Sequence, residues 1–313
     1  MNHYIGLDLG GTNLKYALGN KHGEVLVKLT RPSQASESLE KILHNMFAAV
    51  EKLLEIAKLE KFNVISIGVG SPGSIDFENG RVIGEVPNLK GWTDVPIREI
   101  LQERFRLPVW TDNDANMVAI AEARVGAGKG FRNLVFITVG TGIGGGIIID
   151  GKLYRGASFN AAEIGHTSII MHGKRCKCGN IGCLEMYASA PAIVKLYMEK
   201  LNQENVDFDE DIISTELIFE RVKERDVIAT ETLDEACEAL GAGLANVVNL
   251  INPEAIIIGG GVSEAGESFL GRVRKVVFDR ALPAALPGLR IIKAELGNDA
   301  GIVGAILLAA DNT

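Results

Sequence analysis

Asp8-Leu9-Gly10-Gly11-Thr12-Asn13-Leu14-Lys15-Tyr16-Ala17-Leu18 and Thr138-Val139-Gly140-Thr141-Gly142-Ile143-Gly144-Gly145-Gly146 decide the fold. In each, an apolar run meets a glycine turn and a second apolar run follows, which reads as strand, tight turn, strand. A third glycine group, Gly259-Gly260-Gly261, closes the apolar run Ala255–Ile258. Glycine lets backbone amides approach a ligand closely, so three such turns point to a cradle for phosphate oxygens. None fits GxxxxGK[ST], which excludes a Walker loop. Gly140, Gly142 and Gly145 fit GxGxxG, but that pattern must open a helix. Here Ile147-Ile148-Ile149 follows, which reads as a strand. Asp8 ends the first strand, where a carboxylate either orients water on a magnesium ion bridging phosphates or simply caps the turn.

Working outward, strands are expected at 4–9, 14–18, 24–30 and 64–69, the last running into Gly70-Ser71-Pro72-Gly73. Leu39, Ile42, Leu43, Met46, Phe47, Val50, Leu53 and Leu54 form one apolar stripe at the helical period, with Ser36 as N-cap. The order then repeats. Strands are expected at 134–139 and 147–150 around the turn 140–146, and helices at 191–201, 214–225 and 230–251. Beyond the strand 255–258, residues 263–278 read as helix, 290–294 as extended and 301–310 as helix. Two halves on one plan suggest an internal duplication, the other reading being a chance repeat in one large mixed sheet.

Composition narrows the function. The 313 residues are 47% hydrophobic and 23% charged, ordinary for a globular protein and unlike a disordered or coiled-coil chain. A formal net charge of -8 without a basic block argues against nucleic-acid binding. The start MNHYIGLDLG is not a secretory signal, and no run of about 18 apolar residues would span a membrane. Cys237 reads as a small buried apolar residue in a helix.

Two further clusters carry chemistry. Thr111-Asp112-Asn113-Asp114-Ala115-Asn116 precedes a helical run through Ala123, with Asp114 in its first turn. On position alone such Asp and Asn residues cap the helix. His166, Cys176, Cys178 and Cys183 place one imidazole and three thiols within eighteen residues, a set suited to tetrahedral zinc. A fully protein-ligated ion leaves no open position, so the metal is expected to be structural. The other nitrogen of His166 is then free to face a ligand hydroxyl.

DLGGT (8–12), TDNDAN (111–116), VGTGIGGGII (139–148) and EIGH (163–166) with the cysteine cluster together resemble the ROK sugar kinases, over nearly the whole chain. NLKGW (88–92) is similar to the bacterial glucokinase branch of that family. The resemblance implies the actin-like ATPase fold, two α/β domains each built on a five-stranded mixed sheet, closing on ATP and sugar around a central cleft. It places the smaller domain at 1–113 plus 302–313, and the larger, with the zinc loop, at 114–301. It makes Asp114 the general base and gives Gly70, Asn88, Asn113, Glu163, His166 and Glu185 to the sugar. Asp8, Gly10, Gly11, Thr12 and Asn13, with Thr141 and Gly142, would hold the phosphates and magnesium. Gly259, Gly260 and Gly261 would lie by the adenosine. It also matches the zinc ligands residue by residue. The implied activity is ATP-dependent phosphorylation of glucose at the 6-hydroxyl, with N-acetylhexosamine kinase and sugar-sensing regulator as the alternatives. The partners are then hexose and ATP, with no nucleic acid and no membrane. A cytoplasmic homodimer or homotetramer is expected. With a first strand expected near residue 3, the helix-turn-helix of the ROK repressors is not expected in this sequence.

Overall fold

The computed structural model describes residues 1–313. The first sheet opens with β1 (Asn2–Leu9), β2 (Asn13–Asn20) and β3 (Val25–Pro32), followed by helix α1 (Leu39–Leu59) and β4 (Asn63–Ser71). A short hairpin of β5 (Ser74–Asp76) and β6 (Arg81–Ile83), helix α2 (Ile97–Phe105), β7 (Val109–Asn113) and helix α3 (Asp114–Val125) complete this stretch. The second sheet takes β8 (Leu134–Val139), β9 (Ile143–Ile149) and β10 (Lys152–Tyr154). Helices α4 (Glu185–Ala188), α5 (Ala190–Gln203), α6 (Thr215–Lys223) and α7 (Val227–Ile251) precede β11 (Ala255–Gly259), α8 (Glu267–Arg280) and β12 (Arg290–Lys293). Helix α9 (Ala300–Asp311) ends the chain.

The strand orders are β3-β2-β1-β4-β7 and β10-β9-β8-β11-β12. In the first, β1 pairs antiparallel with β2 and parallel with β4, and β4 pairs parallel with β7. In the second, β11 pairs parallel with both β8 and β12, and β10 pairs antiparallel with β9. The same order recurs, as expected of a duplicated unit. No helix is long and apolar enough to cross a membrane.

The chain divides into two compact units, one of residues 1–130, 146–161 and 295–313, the other of 131–145 and 162–294. This differs from the expected limits at 113/114 and 301/302. The reason is α3, which packs with α9 in one apolar cluster that includes Met117, Ile120, Ala121, Val303, Ala305, Leu307 and Leu308. Nearly every residue of α9 is buried, as a helix apolar on all sides must be. On the other face of the first sheet, Ile5, Leu7 and Leu9 share a core with Ile42, Met46, Val50 and Leu53 of α1.

Close approach of α9 to α3 depends on Gly304, where a Cβ would stand 1.9 Å from the Met117 carbonyl oxygen. Gly304→Ala is expected to lower stability by about 1–3 kcal/mol or more, because backbone must move. Gly271→Ala in α8, where only the Glu267 carboxylate lies within reach at 3.5 Å, should instead stabilise by about 0.5–1 kcal/mol. Thermal melts of the two variants, moving in opposite directions, check the packing argument.

Several local expectations are corrected. The N-cap of α1 is Ser38, not Ser36: its backbone is extended and its hydroxyl accepts from Lys41 N. The strand after the second glycine turn starts at Ile143, not 147, so Gly145 lies inside β9. The helix expected at 263–278 starts at Glu267, because Gly266 at φ 63° separates it from a 3-10 turn at Gly261–Ala265. Cys237 is buried as expected, at 1% exposure.

Candidate active site

In the first unit the chemistry gathers at the C-terminal ends of the parallel strands, where α/β sheets bind ligands. Asp8 pairs in register with Gly70 of β4, and Gly70 with Asp112 of β7. Gly70 has a packing reason to be glycine, since a Cβ there would meet the Met117 side chain at 2.9 Å. The Asp8 carboxylate faces the first turn of α9, where a Cβ on Gly301 would stand 2.5 Å from Oδ2. Burial raises the Asp8 pKa above its ordinary value, opposed by Lys15, whose Nζ lies 3.8 Å from Oδ2. Gly10 N donates to Asn13 O at 2.9 Å and closes the turn that carries Gly11, Thr12 and Asn13, all three exposed.

Asn113 is the N-cap of α3, and its Oδ1 accepts from Ala115 N at 2.9 Å and Asn116 N at 3.3 Å. Its Nδ2 donates to Gly73 O at 3.0 Å and so ties the 70–73 loop to the helix. One amide hydrogen is left for a ligand. Asp114 follows as the first helical residue, with Oδ1 accepting from Ala115 N at 2.9 Å. Desolvation raises its pKa to about 6; the Asp8 charge adds to this, while the Ala115 amide opposes it. That combination leaves a carboxylate mostly ionised at neutral pH, yet basic enough to take a proton. Asn88 is exposed in a turn, whereas Trp92 of the same NLKGW segment is fully buried and donates to Ser71 Oγ at 3.0 Å.

Asp112, given no role on sequence, holds this corner together. It is 2% exposed and accepts from Arg155 Nε at 2.7 Å, Asn116 Nδ2 at 2.9 Å and Asn113 N at 2.7 Å. The Arg155 guanidinium also lies over the Phe77 ring, 3.7 Å from its centroid. Nothing in the local sequence marks Arg155 as the partner, because the two are 43 positions apart.

In the second unit the Gly140–Gly142 turn follows β8, and Gly259 of β11 pairs with Thr138 of β8. The two glycine turns are therefore neighbours, and Gly260, at φ 87°, packs on the Val139 carbonyl. Glu185, at the start of α4, accepts from Ile143 N at 2.9 Å. Gly142 must lack a side chain there, since a Cβ would lie 2.5 Å from Glu185 Oε2. One Glu185 oxygen thus secures the Thr141–Gly142 turn, a task sequence reading missed across 42 positions. Glu163 is exposed, and His166 ends the 3-10 turn Ile164–His166 that follows it.

The ligand atoms of His166, Cys176, Cys178 and Cys183 all lie within 4.8 Å of one another. His166 Nδ1 is 3.7 Å from Cys176 Sγ, and Cys178 Sγ is 3.6 Å from Cys183 Sγ. A tetrahedral zinc with Zn–S bonds of about 2.3 Å spaces its ligand atoms by roughly 3.7 Å, so the set fits the ion. All four cysteines are free of disulfides.

The ROK family pattern matches residues 4–312. The chain belongs to the ROK family. A glucokinase of Halalkalibacterium halodurans is 38% identical over 308 residues, 96% of this chain and 93% of the relative. A xylose repressor of Caldicellulosiruptor bescii is also 38% identical, over 97% of this chain and 77% of the repressor. The crystal structure of a ROK glucokinase from Streptomyces griseus, in complex with glucose and AMPPNP, is 34% identical with a TM-score of 0.81, covering 99% of this chain and 100% of that one. The two matching sheets are accordingly those of the actin-like ATPase fold, as the ROK resemblance implied.

Proposed function

We propose that this ROK protein is an ATP-dependent hexokinase that phosphorylates glucose at the 6-hydroxyl. The observation that carries the reading is Asp114, a carboxylate in the first turn of α3 just after a parallel strand, whose pKa is raised to about 6. The similar glucokinases support the sugar and the nucleotide.

Phosphoryl transfer through a loose transition state asks little covalent chemistry of the protein. Asp114 orients the 6-hydroxyl and accepts its proton late. The free hydrogen of Asn113 Nδ2, Glu163, the second oxygen of Glu185 and the outer nitrogen of His166 bind the other hydroxyls, with Asn88 and the Gly70 loop shaping the fit. A site built from hydroxyl partners rejects analogues that lack them. The Gly10–Asn13 and Thr141–Gly142 turns offer amides to the phosphates, and Gly259–Gly261 borders the adenosine. Asp8 supplies the carboxylate for magnesium, which neutralises phosphate charge when bound with ATP. His166, Cys176, Cys178 and Cys183 hold one zinc, whose role is structural. A cytoplasmic dimer or tetramer rests on the family resemblance alone.

The test is kcat/KM for glucose, N-acetylglucosamine and N-acetylmannosamine at one ATP concentration. An N-acetyl group brings an amide that costs about 1–3 kcal/mol if buried unpaired. Glucose is therefore expected to lead by about tenfold or more. A win for either N-acetyl sugar replaces the substrate and keeps the reaction. Binding of sugar with no phosphate transfer would make the chain a sugar-sensing protein instead.

A further inference from the structure

A cavity of about 690 Å³ opens on the first unit, lined by side chains of β2, β3, α1 and the segment after β3. It is a shallow depression, more open to solvent than enclosed. It lies on the opposite side of the sheet from Asp8. Successive side chains of β2 alternate faces. Lys15, the neighbour of Asp8, donates to Asn298 O just ahead of α9, whereas Tyr16 packs in the core shared with α1.

The lining is chemically lopsided. Arg31 and Lys52 supply two cations, and Arg31 has no carboxylate partner: its contact is the Asn45 carbonyl at 3.4 Å. Lys52 meets Glu55 at 3.3 Å, both exposed. Glu37 accepts from Gln34 Nε2 at 2.7 Å, and Glu51 beside Lys52 is paired with Arg104 at 2.6 Å. Deeper in, Asn45 is 3% exposed and its Nδ2 donates to Ser33 O and Gln34 Oε1, which leaves Oδ1 as a free acceptor. Tyr16 is 7% exposed, and its hydroxyl has no partner in the chain.

We infer that this cavity is a second small-molecule site that takes a sugar phosphate. Arg31 and Lys52 meet the phosphate, and Tyr16 Oη and Asn45 Oδ1 meet the hydroxyls. A forked guanidinium beside an ammonium suits a phosphate dianion better than a single carboxylate. The wall is continuous with the Gly10–Asn13 turn, since Pro32 pairs with Asn13 and Ser33 N donates to Thr12 O at 2.9 Å. The lining residue Pro32 is thus the strand partner of Asn13, the last residue of that turn. That such a ligand is also the product of the proposed reaction rests on that reading; the site does not.

The test is calorimetric titration of the full chain with glucose 6-phosphate, with glucose and a non-hydrolysable ATP analogue present at saturation to block the reaction site. One glucose 6-phosphate per chain is expected to bind, more tightly than inorganic phosphate. Arg31→Met and the exposed Lys52→Met should each weaken it about tenfold or more, and Tyr16→Phe severalfold, with melting temperature and KM for glucose unchanged. If glucose and the analogue themselves fail to bind, the proposed function fails, while loss of glucose 6-phosphate binding in Lys52→Met would still support this site. No binding under block, or wild-type affinity in folded Arg31→Met and Lys52→Met, would overturn it.

Discussion

Asp114→Asn is expected to lower kcat about 10²–10⁴-fold with little change in KM for the sugar, and to raise the melting temperature of the free protein at pH 7–8. Both effects come from one charge. The side chain keeps its size and the oxygen that accepts from Ala115 N, but loses the proton acceptor. In the wild type, kcat/KM should climb with pH through about 6, as Asp114 ionises, and level off above. The variant should lose that limb. The stability effect runs the other way. The folded pKa of about 6 stands above the ordinary 3.8, so between those values the native state holds more protons than the unfolded one. Stability contributed by this group therefore falls as pH rises from about 3.8 to 6, and the full cost is present above 6. That cost is about 1–3 kcal/mol for a group that is only partly exposed. The melting-temperature gain of the variant should accordingly vanish near pH 4. Activity within threefold of wild type would remove Asp114 as the base.

The part of the site that the chain order displays is the part that was legible. DLGGT and TVGTGIGGG lie at strand ends, so alternation and glycine alone locate both turns, and the cysteine spacing alone suggests the metal set. The apolar stripe of α1 is likewise periodic enough to read. What stayed hidden depends on residues distant in sequence. Arg155 reaches Asp112, and Glu185 reaches Ile143 N, by folds that no local pattern encodes. The unit boundary moved for the same reason, since α3 joins the first unit through α9, almost two hundred residues later. Helix α2 escaped notice because only Ile97 and Leu101 of IREILQERF are buried, too short a stripe to show a period. Asn113 shows a subtler limit. Position identified it as a cap, and resemblance as a sugar ligand, but only the structure reveals that its amide also holds Gly73.

Cys178→Ser should cut bound zinc from about one per chain to nearly none, lower the melting temperature, and weaken sugar binding more than ATP binding. Cys178 is exposed, so the substitution removes a ligand without opening a hole in the core. Apart from the metal, hydrogen bonds hold the segment, among them Gly182 N to Lys174 O and Cys176 N to Asn180 O, but almost no apolar packing does. Its regular pairing is reduced to the isolated bridges Arg175–Ile181 and Ser168–Cys183. Of the residues from 173 to 184, only Cys176, Gly182, Cys183 and Leu184 are buried, too few for an apolar core. In small zinc domains the ion supplies about 10–16 kcal/mol of apparent binding energy, which is folding energy when no site exists in the unfolded chain. A loop inside a larger unit draws on a fraction of that. The damage should still spread to the sugar residues along two short routes. His166 is itself a candidate ligand and ends the 3-10 turn that begins beside Glu163. Cys183 lies two residues before Glu185, whose carboxylate holds Ile143 N at 2.9 Å. Elemental analysis gives the metal content, and separate titrations with glucose and a non-hydrolysable ATP analogue give the split. Phosphoryl transfer at the wild-type rate by a chain that holds no zinc would refute the structural role of that ion.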